Sequence, residues 1–174
     1  MEKIKKHLKN NFAIYIVLVT CIVILGVAIS VNSKPKVEKV DTSMFEIVTL
    51  DEALELFETD EPKLLVMSVD TCSATKGYIP YLQIAEAKRR YVTYYLDLNS
   101  IDTSSEAFKD FQAKLDMEYT LFGRVDKFST FMENTPQTVI IKNKKMVYGH
   151  IGSMSTDTLL TLTDLYGVGT NEEN

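Results

Sequence analysis

The sequence predicts an α/β domain built on a central mixed sheet, behind one N-terminal transmembrane helix. Three observations lead there. Short β-branched apolar runs alternate with helical patterns between residues 45 and 135. Two further apolar runs are then separated only by Asn143-Lys144, and a last helical pattern follows. Strands separated by helices imply parallel pairing, and strands joined by a tight turn imply antiparallel pairing. Ahead of all this, Phe12–Val31 is a run of twenty residues without a charge.

That run spans about 30 Å as a helix, one hydrocarbon core. The tail before it, residues 1–11, carries Lys3, Lys5, Lys6 and Lys9, which places it on the cytoplasmic side. The expected topology is a single-pass cell-membrane protein whose residues 12–31 contact the lipid bilayer. The rest of the chain then lies extracytoplasmic. Two other readings stay open. Ala28-Ile29-Ser30 has the small-X-small form of a signal-peptide cleavage site, but the run exceeds the usual h-region of about 7–15 residues. A lipoprotein signal ending at Cys21 would put Thr20 before the lipidated cysteine and an apolar run where a polar tether belongs. Residues 32–44 read as a linker, with Pro35, alternating charge and little to bury.

The domain itself is expected over residues 45–167, with 168–174 as a tail. Phe45–Val48 is a short strand. Thr49-Leu50-Asp51-Glu52 is a capping box, and Ala53, Leu54, Leu56 and Phe57 give the helix after it an apolar face. Lys63–Val69 is the central strand. Cys72–Arg90 is a long helix with Tyr78, Tyr81, Leu82 and Ala85 facing inward and Lys88, Arg89 and Arg90 in its last turn. Val92–Asp97 is a second long strand. Ser104 or Ser105 caps a helix to about Leu115, carrying Phe108 and Phe111 inward. Residues 116–134 have no clean period. They read as an insertion with one short helix, in which Phe122, Phe128 and Phe131 need burial. Gln137–Lys142 and Lys145–Gly152 form the hairpin. Ser155 or Thr156 caps a final helix bearing Leu159, Leu160, Leu162 and Leu165, stopped by Gly167.

Charge and cysteine content exclude several functions. Residues 1–40 hold seven lysines and two acids; the remainder holds twelve Lys/Arg and twenty-two Asp/Glu. An outer domain of net −10 would repel phosphates, so nucleic acid is not an expected partner. Two cysteines and two histidines lie too far apart for a metal set, and no Gly-rich phosphate loop occurs, so neither metal nor cofactor is expected. Cys21 falls in the apolar run, and its plain reading is a small filler. His150 reads as structural or solvated, the Tyr78–Tyr95 tyrosines as packing, and Asp70 as a solvated loop carboxylate.

That leaves Thr71-Cys72-Ser73-Ala74-Thr75-Lys76-Gly77-Tyr78-Ile79-Pro80. A cysteine opening a helix sits where backbone N–H groups and the dipole favour an anion. There a thiol pKa can fall from about 8.5 into roughly the 3.5–7.5 range, which raises the fraction of nucleophilic thiolate.

Thr71-Cys72-X-X-Thr75-Lys76 with Pro80 resembles the thioredoxin active-site helix, where a Cys-X-X-Cys opens the helix and a proline lies eight residues after the first cysteine. Thr135-Pro136, Lys142-Asn143 and Gly152 keep the spacing of that superfamily's cis-proline, following turn and glycine. The resemblance covers about residues 45–167 and implies a three-layer thioredoxin-like fold. It further implies that Pro136 packs beside Cys72 in the cis form, and that Thr71, Thr135 and Pro136 contact an extended peptide. Among membrane-anchored members, the chain is similar to the bacteriocin transport accessory group, which has an N-terminal span and a Thr-Cys-X-X-Cys site.

Three departures shape the functional reading. Thr75 stands where the resolving cysteine belongs, Val66 where thioredoxins bury an aspartate, and the chain has no tryptophan. A mixed disulfide at Cys72 therefore has no internal thiol to resolve it. One reading is a monothiol exchange protein acting on disulfides of secreted peptides or envelope proteins. Cys72 would be the nucleophile, with Thr75 donating a hydrogen bond to its sulfur. The other is a redox-inactive accessory module that assists export, folding or immunity of a secreted peptide and holds it by backbone pairing at Thr135. A peroxide-reactive thiol would instead want an arginine, such as Arg124, beside the sulfur.

Overall fold

A computed structural model describes residues 39–169. These belong to a compact unit spanning Glu38–Asn174. The basic tail, the apolar run 12–31, Cys21 and residues 170–174 lie outside the described residues. Among the described residues no helix is long and apolar enough to cross a membrane.

Five strands form the main sheet: β1 (Glu46–Ile47), β2 (Lys63–Ser68), β3 (Thr93–Asp97), β6 (Gln137–Lys142) and β7 (Lys145–Ile151). Their order is β1-β3-β2-β6-β7. β3 runs parallel to both β1 and β2, while β6 runs antiparallel to β2 and β7. The sheet is therefore mixed, parallel where helices connect the strands and antiparallel at the hairpin. Asn143 and Lys144 close that hairpin with φ of 51° and 63°, the left-handed pair that matches strand twist in two-residue turns.

Period-two alternation divides the core. Leu64 and Val66 of β2, Tyr95 of β3 and Ile140 of β6 pack on one face with Tyr78, Ile79, Leu82 and Ala85 of helix α2 (Ser73–Arg89) and Leu159 of α4 (Thr156–Tyr166). Leu65, Met67, Leu96, Val139 and Ile141 point the other way. There they meet Ala53 of α1 (Leu50–Glu55) and Phe111 of α3 (Glu106–Lys114). Two helices on each face of a sheet make three layers.

The caps follow the residues. Thr49 accepts from the Glu52 N–H, and the Glu52 carboxylate accepts from the Thr49 N–H at 2.7 Å. Ser105 and Ser155 cap α3 and α4. α2 continues through Pro80, which has no N–H to donate four residues back.

Several expectations need correcting. Residues 116–134 do hold one short helix, a 3-10 helix at Phe128–Phe131, but it follows a second sheet that was not expected, the hairpin β4 (Glu118–Leu121) and β5 (Arg124–Lys127). Phe128 and Phe131 are buried, but Phe122 is 94% exposed at the hairpin tip. Tyr81, expected to face the core, is 45% exposed, and Leu165 of the last helix is 69% exposed. Ile79 is buried instead, because the shared face of α2 runs through Tyr78, Ile79 and Leu82. Val40 of the expected linker is buried, and its N–H donates to the Asp70 carbonyl at 2.9 Å. Val168, placed in the tail, is also core.

Candidate functional site

Cys72 is the N-cap residue of α2, in extended conformation, and the Lys76 N–H donates to its carbonyl at 3.1 Å. It is half-buried and in no disulfide. β2 ends four residues earlier, so strand and helix together aim the sulfur off the carboxyl end of the sheet.

From the neighbouring strand, the Thr135–Pro136 peptide, in the cis form, brings a second segment to the sulfur. The Cys72 thiol donates to the Thr135 carbonyl at 3.6 Å. Pro136 is buried, and Thr135 is half-buried. The Pro136 carbonyl accepts from the Gly152 N–H at 2.8 Å, which ties this loop to the end of β7. Thr71 is exposed in the turn before the helix. Cys72 and Thr135 thus meet across 63 residues of sequence.

Beneath the sulfur lies a set of hydroxyls. Thr75 is fully buried and shares a short hydrogen bond with Ser68 Oγ, also fully buried. Ser68 lies on the same face of β2 as Val66, two residues nearer the helix. The Tyr95 hydroxyl is buried near Ser68 without a closed hydrogen bond of its own, and burial pushes it up to about 12. Sequence reasoning missed Ser68; its signal was a polar residue at an inward position of an otherwise apolar strand.

The Cys72 thiol is lowered from its ordinary value to about 7. Burial is the largest influence and acts upward. It is outweighed by the Thr135 and Thr75 side chains and the backbone N–H groups of Thr75 and Ala74, all of which favour the thiolate. The contact to the Thr135 carbonyl works the other way, because a carbonyl accepts only from the protonated thiol. The hydroxyls and N–H groups serve the thiolate and the carbonyl serves the thiol. A sulfur poised between the two forms near neutrality follows.

The remaining candidates separate from the site. Asp70 is not simply solvated: Lys39 pairs with it at 2.8 Å and Asn99 Nδ2 donates to it at 3.1 Å, and its pKa is lowered, chiefly by Lys39. Arg124 pairs with Asp126 at 2.6 Å and lies over the Phe131 ring. His150 is half-buried, and burial lowers its pKa. Among the described residues no group of His, Cys, Asp and Glu could hold a metal ion.

Two cavities border Thr135. One, ≈ 520 Å³, is lined by Val69, Leu98, Ile101, Phe108 and Met132 beside it. The other, ≈ 450 Å³, has Leu121, Phe122, Ile151 and Gly152 around it. A third lies at the opposite end of β2, among Pro62, Lys63, Tyr91 and Val168.

No family model matches the chain, and no curated protein matches it in sequence. Solved structures are similar in general plan. A thioredoxin from Plasmodium falciparum is 16% identical, with a TM-score of 0.46 over 70% of this chain and 98% of that one. Mitochondrial thioredoxin 3 from Saccharomyces cerevisiae, in its oxidised form, is 12% identical, with a TM-score of 0.47 over 72% and 95%. A Fasciola hepatica thioredoxin is 14% identical, with a TM-score of 0.48 over 69% and 98%. Likeness of this degree assigns no activity and no substrate to the chain.

Proposed function

We propose that this chain is a membrane-anchored, extracytoplasmic thioredoxin-like protein that uses Cys72 alone for thiol–disulfide exchange on secreted peptides or envelope proteins. The observation that carries the reading is the sulfur at the mouth of α2, lowered to about 7 and facing Thr135. The Cys72 thiolate attacks one sulfur of a substrate disulfide. The Cys72–sulfur bond forms as the substrate S–S bond breaks, and the departing thiolate leaves with the electron pair and takes a proton from water. A second thiolate, from the substrate or a small thiol, then attacks the mixed disulfide and returns Cys72. No net oxidant is consumed. Cys72 is the catalytic residue in this scheme; Thr75 and Pro136 position it, and Thr71, Thr135 and Pro136 meet the substrate. The anchor is residues 12–31, with no nucleic acid, metal or cofactor in the scheme.

One observation favours the accessory-module reading. Thr75, a hydroxyl in the place of a resolving thiol, leaves Cys72 without an internal thiol, so a mixed disulfide formed there has no intramolecular exit. The two readings part on the thiol's acidity. In the full-length chain carrying Cys21→Ser, alkylation of Cys72 is expected to reach half its maximal rate near pH 7. A half-point above about 8.5, the free-thiol value, supports the inert module and ends the exchange reading.

A further inference from the structure

The tip of the β4–β5 hairpin is built against its own stability. Phe122 and Gly123 form its two-residue turn, with φ of 50° and 81°. Glycine, asparagine or aspartate suits the first of these positions; a phenylalanine there is strained. Its ring is also almost wholly in water. The hairpin's base, in contrast, is held fast. The Tyr119 hydroxyl accepts from the Ile151 N–H at 3.2 Å, and its ring meets Phe128 edge-on, centroids 5.2 Å apart. Next to the turn itself, the Arg124 guanidinium lies over Phe131 at 5.6 Å, so the contact reaches up to the residue beside Gly123. A rigid base therefore carries an exposed aromatic ring in a conformation the residue resists, and strain of this kind gathers at working surfaces.

The ring has a place to work. Phe122 borders the cleft that includes Thr135 and Gly152. Thr135 also lines the larger apolar cavity, and its carbonyl is the group that the Cys72 thiol meets. The two clefts thus flank the one residue beside the sulfur. Glu133 borders both of them, and the chain beyond residue 40 carries an excess of acids. An extended segment passing Thr135 would place side chains in both, since alternate residues share a face about 7 Å apart. A small disulfide would reach the sulfur without touching either.

We propose that Phe122 is a specificity residue: it packs on an apolar side chain near the target cysteine of an extended, basic peptide disulfide seated across Thr135. The proposal rests on Cys72 acting as an exchange thiol and adds the substrate class to that reading.

The test uses the full-length chain in detergent, with Cys21→Ser so that Cys72 is its sole thiol. Two peptides, Lys-Leu-Cys-Leu-Lys and Gly-Ser-Cys-Ser-Gly, each carry thionitrobenzoate in disulfide linkage to the cysteine. Attack by Cys72 on the peptide sulfur forms the mixed disulfide and releases thionitrobenzoate as the coloured thiolate. The Leu/Lys peptide is expected to react faster, and Phe122→Asn is expected to reduce that preference about fivefold or more. Asparagine suits the turn, so the variant should melt at or above the parent temperature, which separates lost recognition from lost fold. A preference equal in parent and variant, or no preference in the parent, overturns the role of Phe122. Dithiobis(nitrobenzoate) serves as the small disulfide. If Cys72 fails to react even with that reagent, the exchange reading itself falls and the peptide proposal with it.

Discussion

At Cys72 the balance between burial and hydrogen bonding decides how the sulfur ionises. Burial opposes the thiolate, and two hydroxyls with two backbone N–H groups favour it more. Thr75 is the nearer of these to the core, because its own hydroxyl is held by Ser68. Thr75→Val keeps the side-chain shape and removes the donor. The alkylation half-point of Cys72 should then rise, and stability should fall by about 1–3 kcal/mol as buried Ser68 loses its partner. An unmoved half-point would show that Thr75 only fills space. The same acidity reaches folding. The folded thiol has the lower pKa, so its contribution to stability is fully present above the free-thiol value of about 8.5 and is lost as pH falls through about 7. The stability of the parent chain over Cys72→Ala should therefore grow between pH 6 and pH 9, read by denaturant unfolding at each pH. A flat difference would contradict the lowered pKa.

Among the elements, the two hairpins show how backbone conformation and packing set the cost of a side chain. Lys144 closes the β6–β7 turn at φ 63°, where a two-residue turn of this hand prefers glycine. Lys144→Gly should raise stability by about 0.5–1 kcal/mol, and a loss would mean that the lysine side chain contributes more than its strain. Gly149, in the middle of β7, is the opposite case. A Cβ there would lie 2.3 Å from Met146 Cε and 2.7 Å from the Phe128 ring, which is fully buried. Gly149→Ala should cost about 1–3 kcal/mol by overpacking. Phe128 also supports Tyr119, so the variant should loosen the β4–β5 base and increase protease cleavage near Phe122. Unchanged melting and cleavage would show that Met146 and Phe128 yield freely.

Across the whole molecule, the proposed topology rests on the charge division between the two parts of the sequence. Four lysines before an uncharged run of twenty residues place the sheet domain outside the cytoplasm under the proposed topology. A membrane-impermeant maleimide added to intact cells should label Cys72 in the Cys21→Ser chain. Labelling only after the membrane is broken would reverse the topology and remove secreted substrates from consideration. The acidic outer surface should also make reaction with a basic peptide disulfide slow as salt rises, while a neutral peptide is less affected.

Much of this architecture was legible in the chain itself, because it rests on local rules. Continuous apolar runs marked β2 and β6. Thr49, Ser105 and Ser155 announced their helices, and Asn143-Lys144 announced its turn, each through bonds made within a few residues. Cys72 was visible for the same reason: a lone thiol opening a helix needs no distant partner to be noticed. The meeting of Cys72 with Thr135 was implied by resemblance and by no local rule, while the burial of Ser68 against Thr75 and the exposure of Phe122 could only be decided in three dimensions. Residues 116–134 show why. Their short strands bury little along their own length, so no period marks them, and their place is fixed by Tyr119 meeting the end of β7, a contact between segments 32 residues apart.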